Sequence, residues 1–269
     1  HWTVATKQPA MTAPAMAARL KDLNAPDAVG QFVDEVSHLV RSQVAAVAGN
    51  LLLVVPCVLL LSGAWFLLTG RAPLSLQEAD YVLHSLTLLG PTALFAAFTG
   101  VLLFASSIVA GWAENWFVLN RLDSALRYNP RITAVLGEDR AARWALFLRN
   151  NISGLAANIS LGLMLGLLPA FAAFFGLGLE VRHVTLSTGQ LAAAGFTLGL
   201  EVLAQPAFWW CLGAVLVTGA LNVGVSFYLA FQLALRAHNV SGVDRARIYA
   251  AIRSRLRHAP LGFLWPPRE

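Results

Sequence analysis

The chain has 269 residues, of which 57% are hydrophobic and 12% charged, with a formal net charge of +5. A water-soluble domain carries roughly a quarter charged residues, so this composition excludes an ordinary soluble enzyme and points to a membrane protein. Nucleic acid, anionic lipid and membrane orientation could each account for the basic surplus, and its distribution along the chain separates them.

The chain opens with HWTVATKQPA, which has neither an initiating methionine nor the regions of a signal peptide, and reads as a piece of something longer. Residues 1–43 form an expected cytoplasmic segment containing Lys7, Arg19, Lys21 and Arg41. Four stretches then reach the roughly 20 residues needed to cross a hydrocarbon core: Val44 to Gly70, Val82 to Ala113, Ile152 to Leu179, and Pro206 to Leu235. Six arginines, from Arg121 to Arg149, sit in the connection between the second and third stretches. Seven more, from Arg236 to Arg268, follow the last stretch, whereas only Arg71 and Arg182 fall in the other two connections. That bias predicts both ends and the middle connection on the cytoplasmic side of the membrane.

A fifth uncharged run, Val184 to Leu200, is marginally long and dotted with hydroxyls. Crossing fully would place the basic tail outside, so the run is expected as a re-entrant or interfacial outer segment. DEVSHLV, GEDRAARWALFLR and DRARIYAAIRSRLRH show helical spacing of apolar residues and are expected as amphipathic helices along the cytoplasmic surface. Arg245, Arg247, Arg253, Arg255 and Arg257 in the last of these either hold anionic headgroups or phosphate, or simply set orientation.

LVRSQVAAVAGNLLL (39–53) aligns with FLRNNISGLAANISL (147–161) at a constant offset, placing Arg41 on Arg149 and Asn50 on Asn158. TGVLLFASSIVAGW from Thr99 likewise aligns with TGALNVGVSFYLAF from Thr218, and His84 in one outer loop faces His183 in the other. The expected fold is therefore all-α and polytopic: four transmembrane helices as two repeated hairpins, the second enlarged by an outer segment. The divisions are a hairpin at 44–122, an amphipathic connector at 123–149, a second hairpin at 150–237 with its insertion at 180–205, and a basic tail at 238–269.

Polar side chains inside such a bundle carry what function the sequence shows. Asn50 and Asn158 are bordered by small residues, and Asn222 and Ser226 offer them partners. They serve as helix-to-helix glue or as the lining of a substrate path. Glu114 and Asn115 stand where a helix leaves the membrane, and Glu114 is expected to pair with an arginine of the connector. His183, Thr185, Ser187, Thr188 and Gln190 form the densest outer-loop cluster, suited to loop capping or to ligand binding, with Glu201 a possible neighbour. No nucleophile elbow and no metal-ligand spacing occurs, so no catalytic residue, metal or cofactor is expected. Cys57 and Cys211 fall in apolar stretches and read as packing residues. GLMLG (162–166) and GFTLG (195–199) provide small-residue packing faces, and a thin four-helix bundle suggests a homo-oligomer.

ATKQPAMTAP, GWAENWFVLNRLDSALRYNPRI, RNNISGLAANISLG, RHVTLSTGQL and LNVGVSF together resemble the C-terminal part of a bacterial family called site-specific recombinase. The resemblance covers nearly the whole chain and implies DNA strand exchange by a nucleophilic serine or tyrosine, with further family sequence N-terminal to this portion. The one H-x-x-R element, His38 with Arg41, is predicted on the opposite membrane face from Tyr81, and Tyr128, Tyr228 and Tyr249 lack a matching context. The residues thus favour a non-enzymatic pore, transport or assembly-scaffold module. The alternative is a membrane-anchored DNA-processing protein whose chemistry lies in a preceding region, with nucleic acid as partner.

Overall fold

The computed structural model describes residues 28–237 and 242–263. Among them are nine α-helices and no strand: α1 (Ala28–Thr69), α2 (Leu76–Ser85), α3 (Thr92–Leu119), α4 (Leu122–Arg127), α5 (Pro130–Leu136), α6 (Glu138–Phe174), α7 (Val184–Leu198), α8 (Pro206–Ala237) and α9 (Gly242–His258). Short 3-10 turns cover Leu200–Ala204 and Pro260–Phe263. Four helices, α1, α3, α6 and α8, are long and apolar enough to cross a membrane.

The sequence dictates most of these boundaries. Pro91 stands at the N-cap of α3, and Pro130 and Pro206 open α5 and α8, where a missing N–H costs nothing. Ser75 and Glu78 build a reciprocal capping box that starts α2. Gly199, at φ 73°, ends α7 in a left-handed turn that a side chain would strain. Pro56 and Pro169 both lie inside helices that continue past them.

Two surface helices expected from the sequence are absent as separate elements. DEVSHLV forms the beginning of α1, and GEDRAARWALFLR the beginning of α6, because neither is separated from the following span by a breaker. The resulting helices of 42 and 37 residues are about 63 and 55 Å long at 1.5 Å per residue, well beyond an apolar core of about 30 Å. DRARIYAAIRSRLRH does form a separate helix, α9. The second span also starts later than expected, since Val82 to Ser85 belong to the separate helix α2.

Helices α3 and α8 lie side by side and run in the same direction. Ala96 meets Asn222, Gly100 meets Leu221 and Val225, and Phe104 reaches the cluster around Phe231. The close contact is at Gly100: an added Cβ would stand 2.8 Å from Val225 Cβ and 2.9 Å from the Leu221 carbonyl oxygen. α1 and α6 run the opposite way, with α6 packed on α3.

One end of the bundle is closed by Phe32, Val36, Phe231, Leu235, Ile248 and Phe263, which join α1, α8, α9 and the last turn. Arg255 of α9 is ion-paired with Asp34 of α1 there, and Arg149 of α6 bonds Asp123 of α4 at 2.6 Å. Both ends of the described chain and the arginine-rich connector consequently share one end of the molecule. At the other end Leu83, Leu86, Val184, Leu191, Val202, Cys211 and Val215 pack together.

The outward faces are inverted relative to a soluble protein. Leu60, Leu61, Leu67 and Leu68 on α1 are 71–86% exposed, while Thr99, Ser106, Thr218, Asn222 and Ser226 between α3 and α8 are almost fully buried. Such a pattern suits a bundle whose four long apolar helices can cross a membrane.

Candidate functional site: a returning segment held by Asn222

After α6 ends at Phe174, the chain turns back into the bundle. Residues 177–183 have no regular secondary structure, and seven extended residues reach at most about 25 Å. They end in the interior, between α3 and α8, where α7 begins. α7 then climbs beside α1, with Gly189 against Val54 and Val58 and Phe196 against Gly63. At 15 residues, α7 is shorter than the four long helices and starts inside the protein.

Irregular backbone in such a place must have its polar groups satisfied by the surrounding protein. Asn222, 1% exposed, does most of this. Its Nδ2 donates to the Arg182 carbonyl at 3.0 Å and to the Ala96 carbonyl at 2.9 Å. Its Oδ1 accepts from the Val184 amide at 3.1 Å. The Arg182 amide donates to Thr99 Oγ1 at 2.8 Å, and that hydroxyl in turn donates to the Phe95 carbonyl at 2.8 Å. One amide side chain and one hydroxyl thereby secure the backbone on both sides of His183.

The Arg182 side chain is also buried. Its Nη2 donates to the Ser85 carbonyl at 2.9 Å and is ion-paired with Glu180, whereas its Nε has no partner. Nearby, the Cys211 thiol donates to the Leu83 carbonyl at 3.0 Å. Thr218, one turn from Asn222 on the same face of α8, is 1% exposed, and its hydroxyl is unpartnered.

The residues singled out by sequence meet different fates. Asn222 and Ser226 are buried, but Asn222 bonds the returning backbone, and Ser226 Oγ turns back to the Val223 carbonyl at 3.0 Å. Asn158 is exposed on α6, away from both. Asn50 lies on α1, with its side chain outside the described residues. Glu114 and Asn115 are exposed near the end of α3. Among the described residues no ion pair engages Glu114; Asp123 takes Arg149 instead.

In the outer cluster His183 is the N-cap residue of α7 and gives no side-chain cap. Ser187 and Thr188 are buried, with Thr188 Oγ1 donating to the Val184 carbonyl at 2.8 Å; Thr185 is half-buried and Gln190 exposed. Glu201 is exposed in the turn after α7 rather than folded back on the cluster. On α9, Arg255 is committed to Asp34 and Arg247 lies 3.7 Å from Asp244. Arg253 and Arg257 are exposed, and the Arg245 side chain is outside the described residues.

Arg182, Thr99 and Thr218 carry more of the site than the sequence indicated. A lone arginine near a glutamate, in an outer connection with no other arginine or lysine, was the signal for the first. The other two showed only as paired Thr-Gly strings, because a hydroxyl on a helix gives no sign of its tertiary partner.

The His38-x-x-Arg41 element lies on α1 at the end closed by Phe231 and Leu235. Tyr81 lies on α2, whose Leu83 meets Cys211 at the other end. Cys211 and Leu235 are 24 positions apart on α8, about 36 Å along its axis. Tyr228 and Tyr249 share one donor, Gln232 Nε2, at 3.2 and 2.8 Å.

The molecule defined by these features is an all-helical protein whose four long apolar helices can cross a membrane. The chain belongs to the site-specific recombinase family, whose family model, described as Site-specific recombinase, matches residues 1–266. No curated protein and no solved structure matches the chain.

Proposed function

We propose that this chain is a non-enzymatic transport module of the bacterial inner membrane, with the returning segment 177–198 as its working part. The observation that carries this reading is Arg182: a charged side chain withdrawn into the bundle, on irregular backbone, next to the start of a helix that does not cross. Ionisable groups and broken backbone inside a membrane bundle are costly and mark solute or ion pathways more often than packing. A scaffold that only holds partners has no need of them, since apolar packing satisfies its interior at lower cost.

The proposal includes a duplicated architecture. Long, short and long helices recur as α1–α2–α3 and α6–α7–α8, and the Thr99-Gly100 and Thr218-Gly219 pairs both stand at close approaches. Gly219 is the looser of the two, its added Cβ falling 3.3 Å from Val184 and 3.4 Å from Val47. In the first unit the short helix α2 stays at the end of the bundle; in the second, α7 enters it. The basic connector and α9 then face the cytoplasm, where arginine also meets anionic headgroups.

Flux of small ions and solutes into proteoliposomes tests this directly. The expected result is passage well above empty liposomes for at least one solute, reduced by Asn222→Leu. Salt-dependent DNA binding by purified protein, with no flux of any solute, overturns the transport reading in favour of a membrane-anchored DNA-processing role.

A further inference from the structure

An apolar groove between α1 and α8 has an unpaired arginine at its edge, and from this juxtaposition we infer a binding site for one phospholipid, its acyl chain in the groove and its phosphate at Arg41. The groove is a cavity of about 430 Å³ walled by residues within 39–51 of α1 and 215–227 of α8. Its lining is apolar apart from Gln43. Each wall covers 12 residue steps, about 18 Å along the helix axis, which is close to one leaflet of a hydrocarbon core about 30 Å thick. Left empty, such a space would forfeit the dispersion contacts of both walls.

The shape of the groove selects a chain over a helix. At the basic end Leu39, Val40 and Phe227 of the lining pack against the cluster of Phe231 and Ile248, which closes the groove there. A helix crossing the membrane would have to pass that plug, and 18 Å of helix about 10 Å across needs roughly 1400 Å³. A flexible chain enters from the side. Past Leu51, Val215 and Leu216, which line both spaces, a second apolar cavity of about 520 Å³ between α1, α7 and α8 gives the end of the chain room to continue.

Arg41 supplies the charge for the other end of the ligand. It is the last charged residue before the uncharged run 42–70, so it stands where hydrocarbon begins. Val44 and Ala48 of the lining follow it by three and seven positions, on the same stripe of α1. Its Nε donates to the Ser37 carbonyl at 3.3 Å, one turn back toward the basic end, and among the described residues no ion pair engages it. The Nη groups stay open to an acceptor, and a guanidinium fork matches phosphate through two parallel hydrogen bonds. The site goes beyond the transport reading and needs only that the four long helices cross a membrane.

The purified chain, stripped of lipid in neutral detergent, tests it through melting temperature during titration with dioleoyl phosphatidylglycerol. A saturable rise is expected, weaker with dioleoylglycerol, which lacks the phosphate, and absent with inorganic phosphate alone. Gly224 lines the groove, and a Cβ added there meets nothing within 4 Å, so Gly224→Leu keeps the fold while filling part of the space. Its half-saturating lipid concentration rises at least tenfold. Arg41→Gln weakens phosphatidylglycerol to the same degree, leaves dioleoylglycerol unchanged, and is partly rescued by Arg41→Lys. A lipid response equal in Gly224→Leu and parent places the lipid elsewhere on the surface and overturns the site. A response that needs Gly224 but not Arg41 overturns the phospholipid assignment, as does no response at all. Dimerisation in detergent that Gly224→Leu abolishes, without a lipid response, gives the groove to a second copy of the chain. Lipid binding that depends on both residues, without flux of any solute, supports the site and sinks the transport reading alone.

Discussion

Asn222 and Arg182, 40 positions apart in sequence, meet through a side-chain amide and a main-chain carbonyl, and this contact fixes where the chain turns inside the bundle. The same Nδ2 also holds the Ala96 carbonyl, so three helical elements are tied to one side chain.

Replacing Asn222 by Leu removes three hydrogen bonds and strands the Val184 amide and the Arg182 carbonyl away from water, while the Ala96 carbonyl keeps its partner within α3. Losing buried partners of this kind costs about 1–3 kcal/mol each, not fully additively, and a drop of about 3 kcal/mol in unfolding free energy is expected. Limited proteolysis between Leu177 and His183 should accelerate in parallel. Unchanged cleavage there would show that the segment is held by packing alone.

Gly100 and Gly219 make a graded pair. Gly100→Ala drives a methyl into helix backbone, which cannot withdraw without moving α8, and an overpacking cost of about 1–3 kcal/mol is expected. At Gly219 the obstacles are the valine side chains of Val184 and Val47, at 3.3 and 3.4 Å, so Gly219→Ala should cost distinctly less. Thermal unfolding of both variants in one detergent gives the order, and a reversed order contradicts the tight parallel packing of α3 on α8.

The proposed orientation is checked with single cysteines in a Cys57→Ala background, Cys211 being buried. An impermeant maleimide added to spheroplasts should label cysteine placed at Gln77 in α2 and leave one at Arg257 unlabelled until the cells are opened. The opposite pattern reverses the assignment of the basic end to the cytoplasm.

Asp34→Asn removes the partner of Arg255 and loosens α9 from α1. Both side chains are partly exposed, 55% and 40%, so global stability should fall by about 1 kcal/mol or less. The measurable consequence is local: faster hydrogen exchange in α9, with α3 and α8 unaffected. Exchange that rises throughout the bundle would mean that α9 docking is part of one cooperative unit.

The capping box at Ser75 gives a pH-dependent detail. Hydrogen bonds from the Ser75 amide and hydroxyl hold the Glu78 carboxyl below its ordinary range. Its contribution is therefore present above the usual glutamate range and is lost as pH falls through the depressed value. Glu78→Gln should remove this acid sensitivity from the start of α2, and Ser75→Ala, which keeps the backbone amide bond, should only lessen it, read as amide exchange while pH is lowered below the ordinary glutamate range.

Four long apolar runs, their charge bias and their proline and glycine punctuation determined by themselves that this chain is a helical bundle with basic residues gathered at one end. Such features are local: hydrophobic length, the missing N–H of proline and the capping of Ser75 act within a few residues and survive without knowledge of neighbours. The lack of a breaker lets DEVSHLV run on into the long helix, but where this first part docks, through Phe32 and Val36 on α8 and α9, was decided by packing. The roles of the asparagines were likewise tertiary. Asn158 and Asn222 look alike in sequence, yet one faces outward and the other holds Arg182, because a buried amide takes its meaning from which backbone groups the fold leaves unpaired beside it.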